Sequence, residues 1–289
     1  MCPPNILQET LRQLTKMLKS PGCRKVARLI NTMDDVLESA GELNHEKICP
    51  IFQVSNVTGL NLDLLKRFLD LLPSYRRFDA TAPTEFHIED IFSVPGVGTV
   101  VSGTLLTGSV QNNDTLLLGP DSTGQFQSVQ VKSIHRRRCN VSHAVAGQAA
   151  CFALKKIKRN QVRKGMVMLS RDAPHLACRE FEAKVLVLFH STTIALRYQA
   201  MVHCNNVRQT AAIVGIEGGR TCLRTGDRAV VRFRFIKVPE FIKAGDKILF
   251  REGRTKGLGR VVKVHPTGSP DESPHLLDRP RGARHQGTT

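Results

Sequence analysis

Residues 93–120 read SVPGVGTVVSGTLLTGSVQNNDTLLLGP. Short apolar runs are separated here by turn-forming residues. Pro95, Gly96 and Gly98 make a tight bend, residues 99–106 are rich in β-formers, and Gly108 interrupts them. Asn112-Asn113-Asp114 then turns the chain into Thr115 and three leucines. No helical period survives, so the stretch opens a small all-β unit. Gly96, Gly98 and Gly103 invite a phosphate-loop reading, but such a loop follows a strand and opens a helix whose N-terminus meets the phosphates. Here the chain continues as strand, and a β-turn is the expectation.

The alternation continues downstream. Val129 and Val131 alternate with Gln130 and Lys132, while Ile134 falls out of phase, as a bulge would cause. A second β unit begins near Cys178: Phe181, Ala183, Val185 and Val187 alternate with Glu182, Lys184 and Leu186, and Val231, Phe233 and Phe235 with Arg232 and Arg234. Gly226-Asp227 and Gly245-Asp246 are turns. Units of roughly 85–90 residues built from short strands suit small closed barrels that hide their edges. Residues 266–289 are proline-rich and aperiodic, and disorder is expected there.

Upstream the pattern changes. A helix is expected from near Asn5, with an Asn5–Gln8 capping box and a stripe of Leu7, Leu11, Leu14 and Leu18. Residues 48–54 read as a strand, residues 26–30 as a candidate second, and residues 61–72 as a helix with Leu62, Leu65, Leu69 and Leu72 on one side. Helix, strand, polar turn and helix make half of an α/β unit, too little to fold as a whole domain. Residues 73–83 read as a linker.

Among 289 residues, 42 basic and 25 acidic side chains give a formal charge of +17, a field suited to a polyanion. His135-Arg136-Arg137-Arg138, Lys155-Lys156-Ile157-Lys158-Arg159 and Arg163-Lys164 concentrate that charge within about thirty residues. Each run alone reads as a solvated face; together they read as an RNA-facing surface. With no Trp and 2 Tyr, contacts to a folded RNA backbone are favoured over base stacking. The 8 cysteines are scattered without any Cys-x-x-Cys, the pattern of reduced thiols. His135, Cys139 and His143 would suit zinc only on a helix, and the segment reads as strand and loop. No run of ~18 apolar residues and no signal-peptide core is present, so a cytoplasmic, non-membrane protein is expected.

Ile88-Glu89-Asp90-Ile91-Phe92 followed by residues 93–120 resembles the start of the second domain of elongation factor Tu and other translational GTPases. The likeness continues through Ala146-Gly147-Gln148, Ile157-Lys158-Arg159 and Lys164-Gly165-Met166-Val167, and at residues 250–259, FREGRTKGLG, which resemble the closing strand pair of the third domain. It covers residues 1–265 and points to the vertebrate subgroup called GTP-binding protein one and two. The resemblance implies a mainly β fold: two small closed six-stranded β-barrels at 84–172 and 178–265, preceded at 1–73 by an incomplete α/β remnant of a GTPase domain.

The same resemblance assigns roles. Ser55-Asn56-Val57 stands at the last guanine-contacting loop. GTP and Mg²⁺ are implied for the intact family member, whereas no Gly-x4-Gly-Lys-Ser/Thr occurs in this sequence. These residues alone are therefore expected neither to bind nor to hydrolyse GTP, and to hold no cofactor. The family's guanine motif would lie immediately before Met1, which makes a truncated start an expectation. Glu89, Asp90 and Phe92 stand at the pocket for the aminoacyl end of transfer RNA; the alternative has Phe92 in the barrel core and Glu89-Asp90 solvated. Ala149 and Gln148 replace a family asparagine and glutamate there. Arg251, Arg254, Thr255 and Lys256, with Arg197 and Tyr198, resemble the neighbourhood that meets the T-stem. Candidate RNA-binding residues are thus Glu89, Asp90, Phe92, Arg136, Arg137, Arg138, Lys155, Lys156, Lys158, Arg159, Arg197, Arg251, Arg254, Thr255 and Lys256. Transfer RNA and the ribosome are the expected partners of a monomer, with no DNA. A regulatory protein-interaction module is the competing reading.

Overall fold

A computed structural model describes residues 3–20, 23–43, 47–72 and 78–267, which fall into two units, Met1–Arg77 and Phe78–Thr289. In the first unit α1 spans Pro4–Lys19. Pro4 opens it, since a missing N–H costs nothing in the first turn. Pro3 takes the cap position without a side-chain hydrogen bond, so the expected Asn5–Gln8 box does not form. Leu11 and Leu18 are half-buried while Leu7 and Leu14 stay exposed. Strands β1 (Val26–Ile30) and β2 (Ile48–Phe52) pair in parallel.

Between them lies α2 (Met33–Glu42), which the sequence reading missed. It has a true capping box: the Thr32 hydroxyl accepts from the Asp35 N–H at 3.2 Å and the Asp35 carboxylate accepts from the Thr32 N–H at 3.0 Å. Helix α3 spans Leu62–Leu71. Of the expected stripe Leu62, Leu65, Leu69 and Leu72, Leu69 is exposed and only Leu72 joins the packed cluster. Leu64, Phe68, Leu71 and Leu72 face Ile30, Val36 and Ala40 instead. The large Phe68 ring sets this rotation, 5.1 Å from the Phe52 ring.

The second unit contains two closed barrels. The first is built from β3 (Glu85–Val94), β4 (Gly98–Thr107), β6 (Thr115–Gly119), β7 (Gln127–Arg136), β10 (Ala149–Lys155) and β11 (Val167–Leu169), with β5 (Ser109–Gln111) and β9 (His143–Val145) forming a side ribbon. The order β10-β4-β3-β11-β6-β7 closes through β10–β7, and β8 (Cys139–Val141) extends β7 as a hairpin. Opposite Ala153 and Leu154, β7 presents Ser133 and Val131, which leaves Lys132 as the extra residue. That bulge explains the phase slip at Ile134. Inside, the Phe86 and Phe152 rings lie 4.3 Å apart and fully buried, each worth roughly 1.5–3 kcal/mol.

The second barrel runs β12-β17-β15-β14-β18-β19, from β12 (Cys178–Phe189), β14 (Gln199–Cys204), β15 (Val207–Ile216), β17 (Arg228–Phe235), β18 (Lys247–Glu252) and β19 (Thr255–Pro266). A two-stranded ribbon, β13 (Ile194–Ala195) with β16 (Cys222–Leu223), lies beside it. Phe181 packs between Phe233 at 5.3 Å and Phe235 at 5.1 Å. Pro266 closes β19 and Thr267 donates its N–H to Ala177 O at 2.9 Å, so these two belong to the barrel. The expected disorder of 268–289 lies outside the described residues, as do residues 73–77 of the expected linker. Residues 79–83 do not behave as a linker: Gly108 donates its N–H to Asp79 O at 2.8 Å and Thr107 its hydroxyl to Pro83 O at 2.7 Å.

One backbone clip occurs three times in each barrel. A residue with positive φ donates its N–H to a strand residue, which returns its own N–H to the following carbonyl. Asn113-Asp114, Gly147-Gln148 and Gly165-Met166 clip Val131, Leu105 and Ile88, while Arg197-Tyr198, Gly226-Asp227 and Gly245-Asp246 clip Ile213, Val187 and Val261. Glycine or asparagine suits the left-handed position, and Arg197, at φ 68°, is the exception.

Polar contacts join the barrels. Asn206 Nδ2 donates to Ile88 O at 3.1 Å and Met166 O at 3.0 Å, and His87 lies between Asn206 Oδ1 at 2.9 Å and Glu85 Oε1 at 2.7 Å. Arg163 donates to Glu240 Oε2 at 2.7 Å, Pro239 O at 2.8 Å and Pro120 O at 3.1 Å. Burial pushes the Glu240 carboxyl above its ordinary range even beside Arg163. Phe241 fills an apolar contact with Val167, Leu169 and Ala173.

Candidate nucleic-acid interface

On the first barrel the β3–β4 register slips between Ile88 and Asp90, which makes Glu89 a bulged residue. The bulge turns Glu89 and Asp90 outward together, the re-aiming that bulges perform. The Thr104 hydroxyl donates to Glu89 Oε1 at 2.8 Å, and Ala149 pairs with Thr104 on β10. Asp90 is ion-paired with Lys164. Phe92 is 49% exposed, which rules out the barrel-core alternative, and Val94 and Val97 are exposed beside it in the chain.

The second cationic run leaves β10 next to this turn. Thr99, one residue past the turn, donates its hydroxyl to Ile157 O at 2.7 Å and tethers the run to β4. Lys155, Lys156, Lys158 and Arg159 are all exposed. Lys155 Nζ donates to Gln130 Oε1 at 3.2 Å on the rim of a cleft of about 460 Å³, and Lys156 has a left-handed backbone at φ 61°. Arg136, Arg137 and Arg138 occupy the exposed tip of the β7–β8 hairpin. Arg163 departs from its sequence cluster, since it is committed to the joint between the barrels.

On the second barrel a cleft of about 720 Å³ is lined by Gln199, Met201, Arg208, Thr210, Arg251 and Glu252. Alternation positions it: Val207 and Gln209 point inward on β15, so Arg208 points out, and Arg251 faces the cleft from β18. His203 pairs with Arg208 across the β14–β15 register. Burial, then the charges of Arg208 and Arg251, hold its imidazole below the ordinary range. Arg254 and Lys256 are exposed at the adjoining β18–β19 hairpin. Arg208, Arg251, Arg254 and Lys256 make no ion pair among the described residues, which leaves four cations for a ligand.

Thr255 differs from its neighbours. It is buried, and its hydroxyl lies 2.6 Å from His190 Nδ1 and 3.0 Å from Tyr198 Oη. Tyr198 Oη also sits 3.1 Å from Glu252 Oε2, and burial raises its phenol above the usual value. These groups brace the hairpin, while Arg197 beside them is exposed. The sequence reading missed Arg208, Gln199 and His203, whose only signal was a place on an outward strand face.

Ser55-Asn56-Val57 follows the C-terminal end of β2, where ligands of parallel α/β sheets bind. Ser55 Oγ accepts from the Thr58 N–H at 3.2 Å, and Val57 is 95% exposed. No group of three or more His, Cys, Asp or Glu side chains able to hold a metal exists among the described residues. His135, Cys139 and His143 fall on β7, β8 and β9 without converging. No described helix is long and apolar enough to cross a membrane.

Residues 98–169 match the family model described as Elongation factor Tu domain 2. Over 264 residues the chain is 57% identical to GTP-binding protein 1 of Xenopus laevis, an alignment covering 91% of this chain and 40% of that protein. Identity to GTP-binding protein 2 of Mus musculus is 44% over 270 residues, covering 91% and 45%. Elongation factor 1-alpha of Ignicoccus hospitalis is 27% identical over 212 residues, covering 67% and 47%. The chain spans less than half the length of these curated relatives. Two six-stranded barrels and this likeness together show that the chain belongs to the translational GTPase family, in the subgroup of GTP-binding proteins 1 and 2.

Proposed function

We propose that the chain is the RNA-gripping part of an elongation-factor-like GTPase, acting in the cytoplasm as a monomer on transfer RNA and the ribosome. The observation that carries this is the second-barrel cleft, where Arg208 and Arg251 adjoin Arg254 and Lys256 with no carboxylate partner among the described residues. Polyanion backbones are held by such unpaired cations through counterion release. In the first barrel, Glu89 and Asp90 offer acceptors for an ammonium and Phe92 an exposed ring for sugar or base. Ala149 removes a polar partner from that pocket, so its ligand preference differs from that of elongation factor Tu.

GTP binding and hydrolysis belong in this reading to the complete family member. The 289 residues alone supply only the base edge at Ser55-Asn56-Val57. Micromolar saturation of the isolated chain by a fluorescent GTP analogue would contradict that. For the RNA reading, Arg254→Glu with Lys256→Glu weakens transfer RNA binding and flattens its salt dependence. Unchanged binding across the titration removes the idea. Exposed Phe92, Val94 and Val97 favour the protein-interaction alternative, whose mark is binding that survives high salt.

A further inference from the structure

Three hairpins of the barrels turn on two residues. Cys204 pairs with Val207 around Asn205-Asn206, Glu252 with Thr255 around Gly253-Arg254, and Arg136 with Cys139 around Arg137-Arg138. The first two use the residues such turns prefer: Asn205 at φ 49° and Gly253 at φ 53° take the left-handed positions. The third does not. Arg137 at φ 49° and Arg138 at φ 68° are both left-handed, the signature of a type I′ turn whose preferred pair is Asn-Gly. Two long side chains are thus held where each Cβ crowds the backbone.

Among the described residues no contact accounts for the choice. All residues from His135 to Asn140 are exposed, and Arg136, Arg137 and Arg138 make no ion pair among the described residues. β8 pairs with β7 alone, and although Val141 at its end packs against the barrel core, the tip itself is exposed. Strain retained at an exposed tip points to function. Lys156 and Arg197 repeat the pattern, as left-handed basic residues on exposed turns. Arginine in particular offers a planar fork that meets phosphate oxygens with two parallel hydrogen bonds.

We propose that the Arg137-Arg138 hairpin tip is a phosphate-gripping prong that clamps the backbone of a folded RNA, on a barrel separate from the Arg208–Arg251 cleft. The proposal rests on the RNA reading above. Its partner is a ribose-phosphate backbone, which the forks contact without reading bases.

The test compares the full 289-residue chain with its Arg137→Asn/Arg138→Gly variant, using fluorescently labelled transfer RNA over a salt titration. Asn-Gly restores the preferred turn, so the melting temperature is expected to hold or rise while RNA affinity falls. Loss of two phosphate contacts makes the plot of log K against log salt shallower by about 1.4–1.8, at ~0.7–0.9 per contact. Arg137→Lys/Arg138→Lys keeps the charge and is expected to retain most of the slope. A variant that binds like the wild type, while Arg254→Glu/Lys256→Glu still weakens binding, overturns the prong and leaves the RNA reading standing. Absence of salt-dependent RNA binding by the wild type overturns both. A deficit seen with polyglutamate and not with RNA overturns the assignment to RNA, and a lower melting temperature overturns the strain argument.

Discussion

Replacing Arg163 by Met isolates the joint between the barrels. Its guanidinium donates to Glu240 at 2.7 Å and to the Pro120 and Pro239 carbonyls, with side-chain exposures of 27% for Arg163 and 4% for Glu240. Methionine fills the stem's volume and leaves Glu240 with Gln209 Nε2, at 2.6 Å, as its remaining side-chain donor. Removing one partner of a buried pair costs roughly 3–5 kcal/mol, and Arg163's partial exposure places the loss near about 3. In a unit of this size that lowers the melting temperature by roughly 6–12 °C. Glu240→Gln in the same chain removes the stranded charge and recovers part of the loss. The pH dependence has a fixed sign. Burial already raises the folded-state pKa of Glu240 above its unfolded value. The folded state therefore binds the proton more readily, and the contribution of the protonated form is lost as pH rises through that raised value. The variant's deficit shrinks on acidification. Urea unfolding at several pH values measures this, and a loss under about 1 kcal/mol, or one indifferent to pH, refutes the reasoning.

Two further outcomes follow from single side chains. Arg197→Asn places at the clip the residue that Asn113 supplies in the first barrel, relieving a left-handed arginine. Stability is expected to rise by about 0.5–1 kcal/mol while transfer RNA binding weakens, and a thermal melt showing loss contradicts the strain argument. Burial, then the charges of Arg208 and Arg251, hold the His203 imidazole below its ordinary range. Phosphate seated between those arginines cancels their charge, so its imidazole resonances titrate at higher pH with RNA bound. No upward movement at saturation places the RNA elsewhere.

The barrels were legible because their strands alternate and their turns carry glycine or Asn-Asp pairs, and even the bulge at Lys132 left a trace in the phase of Ile134. Helix α2 was not, because aspartate replaces the usual glutamate in its capping box and its apolar face is only Val36 and Ala40. The rotation of α3 depends on Phe68 meeting Phe52, a contact that a count of leucines cannot reveal. The candidate site divides the same way. Runs of Arg and Lys were visible in the sequence, while the engagement of Thr255 and Arg163 arises from residues far away in the chain. Arg208 gained meaning only once β14 lay between β15 and β18, which brings it to the same cleft as Arg251.

In the proposed function, cations of the barrel faces hold folded RNA. Equilibrium binding of labelled transfer RNA to the intact chain across a salt series tests it most directly. With Arg208, Arg251, Arg254 and Lys256 each neutralising one phosphate, log K is expected to fall against log salt with a slope of about −3 or steeper. A flat line, or no binding at low salt, would contradict it.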